Sequence, residues 1–288
     1  MFSPAESNFI ADTWSAVAED LAPFDLDVTT EAPSPDQLIR SSPSDGVFGQ
    51  VIAITTENFV CPGWCSGVAA IGVFDDYGAV TPGGWAFFEP FFHPAITASV
   101  ISHEAGHLFG LSHDGTESYP YYGGHGSWSP LMGSVGWNRA SQWSKGEYSG
   151  ANNFEDDIDI IGATTGRIND TVGDVIAAAN NLGDGNVSVD GLVDIDADVD
   201  VYRIVHPGGR LRVDVTPNAI SANLDRASRC TPLPERRLPP VTRPVRSSHR
   251  SMPRWVPVRI TSPCRARRIS RRRRAGPATA ALAGTACV

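Results

Sequence analysis

The segment His103-Glu104-Ala105-Gly106-His107-Leu108-Phe109-Gly110-Leu111-Ser112-His113 constrains this chain more than any other feature. On a helix, residues four apart project from one face, one turn above the other. His103 and His107 have that spacing, so both can reach one metal ion at Zn–N distances of about 2.0–2.1 Å. Glu104 stands one position round from the first of them, beside the metal but not on it, where a general base for water belongs. Gly110 marks where the helix must stop and turn sharply, because glycine enters left-handed conformations without steric cost. The turn returns His113 as a third ligand. Three protein ligands leave a fourth position open, the arrangement of catalytic rather than structural zinc. The chain has 7 histidines in all, so three within one short segment are poorly explained as chance occupants of a core helix.

These residues resemble the metzincin signature H-E-x-x-H-x-x-G-x-x-H. The resemblance implies a zinc metallopeptidase with His103, His107 and His113 as ligands, Glu104 as the base and a methionine turn downstream. Ser129-Pro130-Leu131-Met132-Gly133 lies at a suitable distance, and the other methionines are Met1 and Met252, so Met132 is the expected apolar floor of the site. Asp114, directly after the third histidine, is similar to the reprolysin (adamalysin) branch. Ser134 stands where astacins and serralysins carry a tyrosine ligand, which leaves oxyanion stabilisation mainly to the metal.

The resemblance implies an α/β (α+β) metzincin-like catalytic domain over residues 1–165, with a twisted mixed sheet and an active-site helix. Periodicity agrees with that frame. Ile10, Trp14, Val17 and Leu21 repeat as one face of an amphipathic helix over residues 6–21. Residues 24–29 alternate apolar and polar, the period of a half-buried strand. Residues 51–55 and 68–74 are apolar runs of strand length. Residues 85–92 form an aromatic-rich strand candidate interrupted by Pro90, and so expected at an edge. Pro94 suits the first turn of the following helix, on which Ile101, Ala105 and Leu108 form a face separate from the ligands. The Gly- and Tyr-rich stretch 115–127 is expected to form one wall of a cleft. Within and before it, His125 is a candidate for substrate contact and His93 for a strand end. Gln142-Trp143-Ser144-Lys145-Gly146-Glu147-Tyr148 is similar to the loop that shapes the primed side of the cleft in metzincins, or is equally a surface loop. A last helix opens at residues 153–156 with a capping-type start, and Phe154, Ile158 and Ile161 are its expected buried stripe.

At 288 residues the chain has room for about two domains. It contains no run of eighteen apolar residues, and hence no membrane span is expected. Its first residues lack the basic and apolar parts of a signal peptide, yet helix, strand and site begin at once, so the chain is read as the mature part or a fragment of a longer secreted precursor. Cys61 and Cys65 are close enough for a small disulfide, which fits export; a second metal site from that pair lacks a neighbouring Cys/His pair of zinc spacing. Residues 166–226 show alternating stretches, Asp198-Val199-Asp200-Val201-Tyr202-Arg203-Ile204 and Arg210-Leu211-Arg212-Val213-Asp214-Val215, on either side of Gly208-Gly209. They are similar to part of the bacterial pre-peptidase C-terminal domain, which implies a partial β-sandwich. The acidic stretch 184–200 is either a solvated face or a calcium (Ca2+) site with oxygen ligands; it has no Asp-x-Asp-x-Asp-Gly loop.

Charge divides the chain unevenly. Residues 1–226 hold 8 Lys+Arg against 31 Asp+Glu, whereas residues 227–288 hold 15 Arg against the single Glu235. The abrupt change to Arg, Pro and Ser falls inside the sandwich-like domain, just after Asn223-Leu224-Asp225. A shift of reading frame accounts for it, and the Arg/Pro-rich tail is expected to be disordered, with Cys230, Cys264 and Cys287 without functional meaning. A basic tail for nucleic acid is the other reading; it sits badly with the acidic body. The function these features imply is that of a monomeric, secreted zinc metalloendopeptidase acting on protein or peptide, with no nucleic-acid partner. The alternative is a catalytically silent adhesion or matrix-binding module of the same fold, which would have no use for Glu104.

Overall fold

Ser3 opens the first helix, α1 (Pro4–Asp20). Its hydroxyl accepts from the Glu6 N–H, the Glu6 carboxylate accepts in return from the Ser3 N–H at 2.6 Å, and Pro4 stands at the start of the helix, where no N–H is needed. Val17 is buried on the expected face of α1, and Leu21 follows the helix into the core. A computed structural model of the protein describes residues 2–61, 63, 65–78, 80–88, 92–134, 138, 140–195, 197–206 and 210–224, with the backbone of 227–230, 254–261 and 285–287. It is a mixed α/β structure of three α-helices and small mixed sheets. The other helices are α2 (Pro94–Leu108) and α3 (Asp157–Thr165). The strands in chain order are β1 (Val51–Thr55), β2 (Gly67–Ala69), β3 (Gly84–Phe87), β4 (Trp128–Pro130), β5 (Ala140–Gln142), β6 (Asn180–Asp184), β7 (Val199–His206), β8 (Ala227–Cys230), β9 (Arg254–Thr261) and β10 (Thr285–Cys287).

The sheet that carries α2 has the order β10-β1-β3-β2, with β1 and β3 parallel and the other pairs antiparallel. The β3 strand is therefore central, not the edge that Pro90 suggested. It ends at Phe87, before that proline, which lies outside the described residues, and β2 takes the edge. Gly84 and Ala86 are the buried positions of β3, and their small size lets α2 lie close; a Cβ at Gly84 would be 3.5 Å from Glu104 Cβ. Val68 lies in β2, but that strand stops at Ala69, so the rest of the expected run 68–74 is loop. That loop binds the end of α2, with Gly72 N–H donating to His107 O and Phe74 N–H to Leu108 O.

Residues 24–29 form no strand despite their alternation. Their backbone finds other partners: Asp25 N–H donates to Gly166 O, Ile168 N–H donates to Pro23 O, and Trp14 Nε1–H donates to Val28 O at 2.6 Å. Phe154 also departs from expectation. The α3 helix begins at Asp157, capped by the Asp156 side chain, so Phe154 lies outside it and is 73% exposed, while Ile158 and Ile161 are buried. The main core gathers Ile52, Ile101, Ala105, Leu108, Leu111, Met132, Ile158 and Ile161, each large side chain contributing about 1.5–3 kcal/mol.

The second four-stranded sheet has the order β6-β7-β9-β8. Both edges of β7 are occupied, by β6 in parallel and β9 antiparallel, so the alternating stretches 198–204 and 210–215 do not pair with each other. Residues 210–215 are not strand, and the Gly208-Gly209 turn lies outside the described residues. Val172, Tyr202 and Ile204 make a small separate cluster. Of the expected disordered tail, only β8, β9 and β10 are described; the rest, including Arg271–Arg274 and Cys264, lies outside the described residues. No described helix is long and apolar enough to cross a membrane.

One buried carboxyl ties these parts together. Asp20, at the end of α1, accepts from Ser102 Oγ of α2 at 2.7 Å and from Asn223 Nδ2, while its backbone carbonyl accepts from Trp143 Nε1 at 2.7 Å. Burial pushes its pKa up to about 8, further raised by Glu19 and opposed by the Ser102 and Asn223 hydrogen bonds. The folded chain thus binds a proton that the unfolded chain releases near pH 4. The stability Asp20 contributes is present at low pH and is lost as pH rises through about 8. Asp20→Asn, which keeps the shape and cannot ionise, is expected to flatten the decline of the urea midpoint between pH 5 and pH 9. An equally steep decline in the variant would show that Asp20 is not the titrating group.

Candidate metal centre

Local sequence places the three imidazoles. The α2 helix is buried along most of its length, with Ile101, Ala105 and Leu108 fully covered on the sheet side. His103 and His107 therefore have one remaining face in common. The helix ends in a Schellman motif: Gly110 N–H donates to His107 O at 2.8 Å, Leu111 N–H donates to Gly106 O at 2.9 Å, and Gly110 has φ +101°. Only glycine adopts that angle freely. The reversal carries His113 back over the last turn.

The result is convergence. The ring nitrogens of His103, His107 and His113 lie within 4.8 Å of one another, and the Nε2 atoms of His107 and His113 are 2.9 Å apart. Ligands about 2.0–2.1 Å from one tetrahedral ion would stand about 3.3 Å apart, so the His107–His113 separation is close to that of a shared ion. Two of the rings are already oriented. His103 Nδ1 lies 2.8 Å from Leu131 O and His107 Nδ1 lies 2.8 Å from Leu111 O. With Nδ1–H donating to a carbonyl, Nε2 is left as the bare nitrogen that a metal needs.

Burial, then the neighbouring His107, holds His103 down at about pKa 3; the same causes hold His113 at about 4, and burial lowers His107. The imidazoles are thus neutral at pH 7, the form that ligates. Glu104 is 4% exposed, its Oε2 has no hydrogen-bond partner, and burial alone raises its pKa to about 8. An orphaned buried carboxylate oxygen beside three converging neutral nitrogens suits a divalent cation, which would favour the ionised acid. The donor set fits zinc.

Met132 is fully buried, and its Sδ lies where any side chain at Gly106 would have to go. The segment holding it lies against the histidines: Leu131 O faces His103 Nδ1, and Met132 O accepts at 2.8 Å from the N–H of Asp114, the residue after His113. Asp114 itself is buried, which raises its carboxyl to about 7. Residues 142–148 are mostly buried and are no simple surface loop. Trp143 packs toward Gly106 beneath the helix, Gln142 Nε2 donates to Asn223 O, and Tyr148 stacks on Tyr122 with ring centroids 4.0 Å apart. His125 is not grouped with the three converging rings and has its Nδ1 3.0 Å from the Tyr122 hydroxyl, while His93 stands at the N-cap position of α2. Cys61 and Cys65 form the disulfide.

Two residues near the centre had no sequence signal beyond their stretch. The Tyr121 ring stands 4.3 Å from that of His113 and is partly exposed, so it walls one side of the site. Gly67 of β2 lies so close to Glu104 that any side chain there would strike the carboxylate. Tyr121 comes from the stretch 115–127 just after His113, whereas Gly67 arrives from a distant part of the chain, a neighbour that spacing along the sequence does not report.

Comparison of the chain with family models, with curated proteins and with solved structures gives no match.

Because burial keeps the three imidazoles neutral at pH 7, zinc added to the protein is expected to survive dialysis at that pH and to be lost in acid, completely by the range of about 4 to 3 in which His113 and His103 take up protons. His113→Ala is expected to lower zinc affinity at least about 100-fold at pH 7, as metal analysis would read. Loss of zinc already at pH 7 would contradict this account of the rings.

Proposed function

We propose that this chain is a zinc-dependent metalloendopeptidase of the metzincin kind, with residues 1–165 as its catalytic domain. One observation carries the reading: three imidazole nitrogens converge within 4.8 Å, and a buried, unpartnered oxygen of Glu104 lies on the adjacent position of the same helix. Zinc, when bound by His103, His107 and His113, supplies Lewis acidity toward a water molecule and the scissile carbonyl. Glu104 takes the proton of that water and passes it to the leaving amine. Its near-complete burial keeps bulk water from competing for the carboxylate. Gly67 leaves the space in front of Glu104 free of side chain. Met132 supports the ligands from below, and Tyr121 covers His113 on the open side.

The edge strand β2 supports a peptide as the substrate class. It stands last in its sheet, paired with β3 alone among the described strands, and its Gly67 adjoins Glu104. An extended peptide can add to that free edge by main-chain hydrogen bonds, which brings a peptide bond to the base without need of a chain end. This favours cleavage within chains. Residues 166–226 are proposed as part of a pre-peptidase C-terminal-like β domain, and residues 227–288 as the product of a changed reading frame. The Cys61–Cys65 disulfide and the acidic body support a secreted, monomeric protein without a nucleic-acid partner.

Cleavage of a denatured protein, followed with and without a chelator, tests the proposal. Activity is expected to vanish on chelation and return with zinc. Glu104→Gln should keep its zinc and lose at least about 100-fold in turnover. A variant that retains more than about a tenth of the activity would remove Glu104 from the role of base.

A further inference from the structure

The three imidazoles are not held in the same way. His103 and His107 stand on a buried helix, and the Nδ1 of each ring lies against a backbone carbonyl. His113 has neither support. It lies beyond the helix and is half-buried, and among the described residues its ring meets the Nε2 of His107 but no carbonyl. Its direction is therefore set by the backbone on either side of it.

That backbone is gripped from outside. Before His113, the Glu155 carboxylate accepts from both donors of Ser112, from the N–H at 2.9 Å on one oxygen and from the hydroxyl at 3.1 Å on the other. Asn153 Nδ2 donates to Ser112 O at 3.4 Å and to the Glu155 carboxylate at 3.2 Å, while Asn153 Oδ1 accepts from the Glu155 N–H at 3.0 Å. After His113, Gly115 N–H donates to Asn152 Oδ1 at 3.0 Å. Gly115 O accepts from Asn152 N–H at 3.2 Å and from the Tyr148 hydroxyl at 2.8 Å. Both backbone groups of Ser112 and both of Gly115 are thus bonded to residues 148–155, and His113 lies in the span between them.

The grip also accounts for a departure from sequence. Residues 153–156 read as the start of a helix, yet the side chain of Asp156 caps α3, and Asn153 and Glu155 turn to Ser112 instead. Ser112 is exposed and Glu155 half-buried, so their hydrogen bonds add little to the free energy of folding. What they fix is a direction.

We propose that Glu155, oriented by Asn153, is a positioning residue for His113: it holds Ser112 so that the third imidazole meets the two on the helix. The inference rests on the zinc reading of the centre. A group that orients a ligand without touching the metal changes metal affinity by about 10–100-fold when removed. Glu155 acts through the backbone next to the ligand and not on the ring, which places it at the lower end of that range.

The zinc affinity of the full chain is to be measured at pH 7 against a competing chelator. Glu155→Ala is expected to weaken zinc binding about ten-fold. Glu155→Gln removes the charge and keeps the shape: its Oε1 can accept from the Ser112 N–H while its Nε2 donates to the Ser112 hydroxyl oxygen. Its affinity should stay within about three-fold of the unaltered chain. In a His113→Ala background, Glu155→Ala should cost no more than about a further two-fold, because the ligand that it directs is gone. Equal losses in Glu155→Ala and Glu155→Gln would assign the effect to charge. A loss of about ten-fold that persists without His113 would assign it to the fold at large. Either result overturns the inference. So does an unchanged affinity in Glu155→Ala where His113→Ala weakens zinc, an outcome that leaves the metal centre standing. If His113→Ala itself leaves the affinity unchanged, the centre and this inference fall together.

Discussion

Everything at the histidine centre depends on how α2 ends. Two hydrogen bonds across Gly110 and one left-handed residue reverse the chain within a single turn, and the reversal brings His113 back to the other two imidazoles. The helix could not achieve this alone. A continued helix would send residue 113 on along the axis, about 9 Å beyond residue 107 at 1.5 Å per residue. The same carbonyls that helix termini leave orphaned are put to use: His107 O and Leu108 O accept from the loop after β2, and Leu111 O holds the His107 ring. The stop signal, the loop contact and the ring orientation therefore share one small set of backbone groups.

Beneath that turn the chain spends unusual care on polar burial. Asp20, Ser102, Trp143 and Asn223 form a connected set that joins α1, α2, the segment after β5 and the stretch before β8. Such a set is worth little as an aid to stability if any member lacks its partner, because each buried polar group then carries its full desolvation cost. Asn223 Oδ1 is left without a partner here, yet the bonds to Asp20 fix direction in a way that apolar contacts do not. Ser102 is adjacent to His103, so the set also fixes the rotation of α2 and with it the direction of the ligands.

How far the sequence could report all this depended on the range of the interaction. The helix that carries His103 and His107, its glycine stop and its start at Pro94 were legible, because each rests on spacing within a few residues. Phe154 misled because an apolar residue four before Ile158 matches the helical period, while the Asp156 cap starts the helix three residues later. Residues 24–29 misled because alternation records which side chains are covered, not which backbone groups pair; here Trp14 and residues 166–168 supply the partners. The central place of β3 and the occupied edges of β7 follow from pairings with strands far along the chain. Gly67 near Glu104, and Glu155 near Ser112, are neighbours by topology alone.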